Sequence, residues 1–470
     1  MGDSIQELKK DENFIDYLTN VISKYTDTKN DFCLSASLFL ISTSINNTYV
    51  ENKKGKVFIN PFFMHIGNPA TGKTTTLNFV KNITMKVESK LQKTNDKNPK
   101  IIVPTDWSVE GLINWFKGDN GLDSPRGAMI YDEASKLLKL MKDEEQYILE
   151  TLLSLYDGNI NSKITRSHGH ESLNGVNVSF IGSSTKKFLR LIDIRIKEAG
   201  SLRRFLFTYN FEYTSIISKD FFELTNPYQD VNEKEEQINY IAEYIYSLWN
   251  ISKKIKYVIP TELHNVLIDE IYNKEIKDKI DTSVNSGKDD EIIEYISSER
   301  YQILQLACLH AVGRLMKGQL LNSSLGENRF VVRLDFEDID WSKNITQKYF
   351  NNFDYIYTLY NTIGKNGTAT YQDYESSYKA IVNVIKLSPD GIATAIEIFK
   401  ALNWLAKGKN SMSGLTHTKH MEIFSSAITL KFIRRLTYSE AENLTKETCA
   451  RHNIDFNYRT RIVHIYKVLE

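Results

Sequence analysis

The 470-residue chain has three cysteines, Cys33, Cys308 and Cys449, too few and too widely spaced for a disulfide framework or a CxxC metal site. That scarcity favours a reducing compartment, and the expected location is intracellular, in the cytoplasm. An excess of one charge sign is missing too: 59 Lys+Arg balance 59 Asp+Glu, which excludes a histone-like polycation and an acidic disordered tail. Affinity for nucleic acid would have to come from local basic patches, because phosphate contacts depend on where charge sits. No apolar run is long enough to span a bilayer; the most apolar one, Phe32 to Ile45, is short and carries Ser and Thr throughout, so a packed helix is expected and no membrane partner. Neither a signal peptide, an internal repeat nor a low-complexity tract is visible.

What is present is an average soluble composition, 41% apolar and 25% charged, in a chain long enough for about three domains at roughly 100–200 residues each. Ile5, Leu8, Phe14, Ile15, Leu18 and Ile22 fall near helical spacing and precede the apolar run, which predicts a helical N-terminal region over 1–54. From 55 to 212 short apolar runs alternate with helical stretches, the pattern of a parallel sheet with crossover helices. The candidate strands are Phe62–Ile66, Ile101–Val103, Ala128–Tyr131, Val178–Ile181 and Phe205–Tyr209, giving an α/β core with a five-stranded sheet and helices on both faces. Residues 213–364 carry helical periodicity at Glu235–Ile251 and Glu291–Met316 around the charged stretch Lys274–Asp290, as in a helical lid with an exposed insertion. From Lys365 on, 15 Lys+Arg face 10 Asp+Glu, so residues 365–470 form a small basic domain. Helical runs at Pro389–Ala406 and Met421–Leu436 and a strand at Thr460–Tyr466 would suit a winged helix; a basic helical domain of another kind would have a similar pattern.

The segment Gly67, Asn68, Pro69, Ala70, Thr71, Gly72, Lys73, Thr74 fits G-x-x-x-x-G-K-[ST], between an apolar strand and a helical run that opens at Thr75. The glycines let the backbone curl so that successive N–H groups face phosphate oxygens, aided by the positive end of the helix dipole. Lys73 then neutralises the β and γ phosphates and Thr74 offers its hydroxyl to Mg²⁺, so ATP with Mg²⁺ is the expected cofactor, in a P-loop NTPase fold. Fifty-nine residues after Lys73, the strand Ala128–Tyr131 ends in Asp132 and Glu133. Asp132 is expected on the metal side and Glu133 toward the attacking water, as general base. The strand Val178–Ile181 runs into Gly182, Ser183, Ser184 and Thr185. Ser184, or its neighbours Ser183 and Thr185, is placed to reach the γ-phosphate or the water; equally, it would serve as a helix N-cap.

Gly200-Ser-Leu-Arg203-Arg204-Phe-Leu-Phe207 brings two arginines to the start of the last strand. The order of motifs resembles the AAA+ ATPases, and within them ring-forming replicative helicases of the minichromosome-maintenance and superfamily-3 kind found in viruses, plasmids and proviruses. The resemblance spans about residues 55–350. It implies that Arg204, with Arg203 as substitute, is an arginine finger lent to the neighbouring subunit of a homo-oligomeric ring, expected to be a hexamer. It also implies a pore-facing hairpin between Gly158 and Asn177, where Lys163 and Arg166 would hold DNA phosphates; an ordinary solvated hairpin would carry the same residues. A lid arginine would be Arg300 or Arg314. The expected activity is ATP-dependent DNA unwinding or translocation during replication, with single-stranded or forked DNA as partner. The alternatives are an ATP-switched DNA-binding initiator or helicase loader, and a protein remodeller. No primase-type motif is present.

Overall fold

The computed structural model describes residues 8, 12–26, 28–52, 55–94, 98–134, 146–161, 172–185, 200, 202–211, 227–286, 288–315, 330–364, 371–388, 390–402, 424, 427–428, 433–452 and 465–468. Contacts divide the chain into two compact units, Met1–Asp354 and Tyr355–Glu470.

In the first unit, helices α1 (Phe14–Thr26) and α2 (Asn30–Ile45) precede a small antiparallel hairpin of β1 (Tyr49–Asn52) and β2 (Gly55–Phe58). Every residue of α2 from Ser35 to Ile45 is buried, as expected of a helix apolar all round. Its serines are tolerated there because they bond within the helix, Ser37 Oγ to the Cys33 carbonyl and Ser44 Oγ to that of Leu40. Ser42 Oγ reaches out of the helix to Ser179 Oγ at 2.9 Å, and Asn46, just after the helix, donates to the Gly127 carbonyl. The N-terminal helical region is thus fastened to the sheet beside it.

That sheet consists of β3 (Phe62–Gly67), β4 (Arg126–Tyr131), β7 (Asn177–Ser184) and β8 (Phe205–Asn210), all parallel, in the order β4–β7–β3–β8. Helix α3 (Lys73–Thr94) follows β3, and α4 (Val109–Asn114) and α5 (Gln146–Tyr156) flank β4 in sequence. Alternation sends Phe62 against Tyr156 of α5 (centroids 5.2 Å) and Phe63 against Tyr349 of α8 (Phe336–Gly364; centroids 6.2 Å), so both faces are covered, as parallel strands require. The expected fifth strand is not formed. Ile101–Val103 makes one bridge, Ile102 to Ala128, with Ala128 N donating to Ile101 O and Val103 N donating to Ala128 O. Pro99 and Pro104 bracket it, and proline neither donates to a ladder nor leaves its predecessor free. Among the described residues four strands, not five, make the sheet.

Short strands β5 (Asn159–Asn161) and β6 (Ser172–Asn174) pair antiparallel, forming the base of the expected hairpin; Lys163 and Arg166 lie outside the described residues. Beyond β8, α6 (Pro227–Ile251) lies along α3, joined to it by ion pairs Lys86–Glu235 and Lys90–Glu243. The basic face of α3 therefore has acidic partners. A parallel pair, β9 (Ile255–Val258) with β10 (Phe330–Arg333), occurs where helix alone was expected, and part of the charged stretch, Lys277–Asn285, is helical. Helix α7 (Asp290–Leu315) sends Tyr295 onto Phe353 of α8, stacked at 4.0 Å. No described helix is long and apolar enough to cross a membrane.

The second unit contains α9 (Tyr371–Leu387), β11 (Ile392–Thr394), α10 (Ala395–Ala401), β12 (Ile433–Arg435), α11 (Tyr438–Glu442), α12 (Lys446–Arg451) and β13 (Ile465–Val468). The strands are antiparallel in the order β11–β13–β12. The helix expected to continue to Leu436 has already given way to strand β12. Capping boxes start α10 at Thr394 with Glu397 and α11 at Thr437 with Glu440. Glu440 also binds Arg434 of β12 and Lys467 of β13, so one carboxylate ties a helix start to two strands.

Candidate nucleotide site

Strand β3 is buried throughout and ends at Gly67, where a side chain cannot fit: a Cβ would lie 2.6 Å from the Asn210 carbonyl oxygen. The chain then turns through Asn68–Thr71. Ala70 stands at φ 61° and Gly72 at φ 79°, both left-handed, and a Cβ on Gly72 would lie 2.1 Å from Thr28 Oγ1. Thr71 Oγ1 donates to the Asn68 carbonyl, and Asn68 N donates to Asn210 O, so the loop is held to itself and to the end of β8. Pro69, Ala70, Thr74 and Thr75 are exposed around it.

Lys73 opens α3 and turns its ammonium back into the loop, donating to the carbonyls of Gly67 (3.0 Å) and Asn68 (2.6 Å). Burial pushes this amine below the usual lysine value, against the pull of Glu133 and Asp132. An anion set in the loop would oppose that burial effect, since opposite charge favours the ammonium.

The second motif meets the first. Thr74 Oγ1 donates to Asp132 Oδ1 at 2.8 Å across 58 residues of sequence. Glu133 accepts from Ser184 Oγ at 3.1 Å, while Ser183 Oγ donates to the Asp132 carbonyl and Ala134 N to the Ser183 carbonyl. Because β7 lies between β4 and β3, its polar end stands between the two motifs. The sequence placed Ser184 equally at the phosphate or water and at a helix N-cap; here its hydroxyl donates to the Glu133 carboxylate.

The fit to Mg²⁺ rests on Thr74 and Asp132, a hydroxyl and a carboxylate oxygen already in contact, which are the hard oxygen donors this cation takes alongside phosphate and water. Among the described residues no group of three His, Cys, Asp or Glu forms a separate metal site.

Arg204 stands elsewhere. Phe205 pairs with Phe62 and Asn210 with Gly67, so Arg204 is at the N-terminal end of the sheet, at least five residues of strand from the phosphate loop, roughly 17 Å. Its guanidinium donates to the Gly200 carbonyl (3.1 Å) and to Asp157 Oδ2 (2.9 Å), 5.8 Å from the centroid of the Tyr156 ring. Arg203 faces Glu294 at 3.7 Å and is the more exposed of the two. Of the two lid candidates, Arg314 pairs with Asp335 and with Asp338, which also meets His310; Arg300 lies over the Tyr301 ring.

Sequence reasoning overlooked three residues of this region. Thr28, between α1 and α2, reaches the Gly72 carbonyl at 3.2 Å. Lys29 lies over the Tyr209 ring, at the phosphate-loop end of β8. His65, two residues before Gly67, is fully buried and stacked on Phe32 at 4.6 Å, with no partner for either ring nitrogen. Burial, then the Lys73 charge, pushes it down to about 3, so it is neutral at physiological pH. Only its place in a buried parallel strand could have signalled it.

No protein-family model matches this chain. No curated protein sequence matches it either. The reading of the site therefore rests on its own geometry and on the motifs that build it.

Proposed function

We propose that the chain is a Mg²⁺-dependent, AAA+-type P-loop ATPase that works as a homo-oligomeric ring, a hexamer, and uses ATP hydrolysis to unwind or move along DNA. The observation that carries the ATPase reading is the 2.8 Å contact between Thr74 and Asp132, with Lys73 turned into the loop beside them and Ser184 holding Glu133. In this reading the loop amides and Lys73 bind the phosphates, and Thr74 and Asp132 hold the cation. That cation supplies charge neutralisation on the phosphates. Glu133 accepts the proton of the attacking water, oriented by the Ser184 hydroxyl. Arg204, too far along its own strand to serve its own loop, completes the site of the adjoining protomer, where a planar fixed charge stabilises the transferring phosphoryl oxygens.

The test is ATP turnover of the purified chain with and without single-stranded and forked DNA, alongside particle imaging with an ATP analogue. Stimulated turnover, strand displacement and rings are expected. A chain that stays monomeric with nucleotide and whose turnover ignores DNA would sink the motor reading while leaving nucleotide binding intact.

A second reading, an ATP-switched DNA-binding initiator or loader, is favoured by the second unit. Its opening helix, strand and helix and its sheet with β13 between β11 and β12 are compatible with a winged helix carrying α11 and α12 between β12 and β13, on a segment with a basic surplus. Tight site-specific binding without strand displacement would select it.

A further inference from the structure

At the N-terminal end of the sheet, on β4, lies a charged group that the ATPase reading does not use. Arg126 is the first residue of β4 and is 4% exposed. Its guanidinium carbon lies 3.4 Å from the centroid of the Trp249 ring. One terminal nitrogen, Nη1, is consumed: it meets Ser252 Oγ at 2.7 Å, Asn47 Oδ1 at 3.2 Å and the Ser44 carbonyl at 3.4 Å. The other, Nη2, has one long contact of 3.5 Å to the Trp249 carbonyl, and Nε has no partner. Among the described residues no carboxylate forms an ion pair with it.

Such burial is costly. An unpaired guanidinium loses its hydration, and the aromatic face and the carbonyl-bearing ends of α2 and α6 offset only part of that loss. Burial pushes Arg126 down to about 9, and Asp123 acts on it in the opposite sense. The unused edge is the informative one. Nε and Nη2 share one edge of the planar guanidinium, the fork that takes two oxygens of a carboxylate or phosphate in parallel hydrogen bonds.

Arg126 also lines an open cavity of about 230 Å³ with Lys253, Ser124, Asn250, Trp249 and Asp123. Two cations outnumber the one acid, and a hydroxyl and an amide add neutral donors. Donors of several kinds around one space suit a tetrahedral oxyanion, which has more acceptor oxygens than a carboxylate. We infer that this cavity is an anion site for a phosphate group, held by the Nε/Nη2 edge of Arg126 and the Lys253 ammonium. It is separate from the phosphate loop: Asp132 lies six residues along from Arg126, roughly 20 Å of strand.

The test removes the loop's lysine first, which leaves only its backbone amides to compete. In a Lys73→Ala chain, inorganic phosphate and, in a parallel arm, a nucleoside 5′-monophosphate are titrated by calorimetry. Saturable binding is expected, weakened about tenfold or more by adding Arg126→Gln, the size of a lost charge-assisted pair. Lys253→Glu is exposed and safe for folding, and it should weaken binding severalfold even if Arg126→Gln does not fold. Equal affinity in the two arms assigns a free ion; tighter binding of the nucleotide assigns its phosphate. An absence of saturable binding, or binding that Lys253→Glu and a folded Arg126→Gln leave unchanged, overturns the proposal. Because every arm lacks Lys73, the result stands apart from whether the chain hydrolyses ATP.

Discussion

At the C-terminal end of the sheet, β3, β4 and β7 run out into Gly67, Asp132 and Ser184, and the polar groups there bond mainly to one another: Lys73 to the loop, Thr74 to Asp132, Ser184 to Glu133. At the N-terminal end, β4 begins at Arg126 and β8 follows Arg204, and between them Phe62, Phe180 and Phe205 pack with centroids 5.5–5.7 Å apart. One end is a self-contained polar constellation. The other holds two separated cations on an aromatic floor, one tied to Asp157 and one without a carboxylate. A group of polar side chains that satisfy one another can act on a ligand within its own subunit. An arginine that is 16% exposed and held by one exposed acid and a backbone carbonyl can exchange that acid for a partner arriving from outside.

The sharpest way to break this contrast is to ask whether the two ends belong to different sites. Arg204→Ala is expected to lower ATP turnover by roughly 10³- to 10⁵-fold while leaving nucleotide affinity nearly intact, the scale of a lost arginine finger. Mixing it with Glu133→Gln chains should restore part of the turnover, because an interface pairing Glu133 of one protomer with Arg204 of the other is then complete. No recovery on mixing, in a preparation that still assembles, would place both residues in one subunit's chemistry and contradict the observed separation.

Next in size is Glu133→Gln alone. Loss of the proton acceptor should reduce turnover by roughly 10²- to 10⁴-fold with binding preserved. Ser184→Ala is expected to follow the same direction more weakly, through turnover and its pH profile rather than through affinity, since the hydroxyl touches the carboxylate and not the loop. A Ser184→Ala change that weakened binding but spared turnover would assign it to the phosphates instead.

How far the two ends were legible follows from what fixes them. The phosphate loop shows in the sequence because left-handed and sterically closed positions admit few residue types, as at Gly72 and Gly67. Asp132 and Glu133 show because an apolar run must end before charge begins. The same pattern at Ile101–Val103 was misleading: apolar character sufficed for burial, but flanking prolines allow only a single bridge. Arg126 left no sign, since a charged residue at a strand start is ordinarily a surface residue, and only the packing of α2 and α6 over it buries it. Short strands such as β9, β10 and β12 depend on partners far away in sequence, which local periodicity does not register.

His65 tests whether every polar group near the loop serves chemistry. The unfolded chain takes up a proton near 6.5, and the folded chain not until about 3. The unfolded state therefore binds more protons between those values, so stability rises with pH across that window and is lost on acidification. At pH 5 the loss is about 2 kcal/mol relative to neutral pH. His65→Phe, which keeps a ring against Phe32, should remove about that much of the acid sensitivity in denaturant unfolding at pH 7.5 and pH 5. An unchanged pH profile would mean that His65 finds a partner.

The smallest effect is expected at Ala70. A residue with a Cβ at φ 61° carries roughly 1–2 kcal/mol of left-handed strain, and glycine would relieve it. Glycine also enlarges the unfolded ensemble, which takes back about 0.4–1 kcal/mol. The net for Ala70→Gly is a stabilisation of about 1 kcal/mol or less, read as a rise of about 1 °C or less in Tm for a unit of this size. Its side chain is exposed and makes none of the contacts that join the loop to Asp132, so turnover should stay within about twofold. A large fall in turnover with raised stability would show instead that strain at Ala70 presents the loop's amides to phosphate, and would add backbone conformation to the side chains that define this end of the sheet.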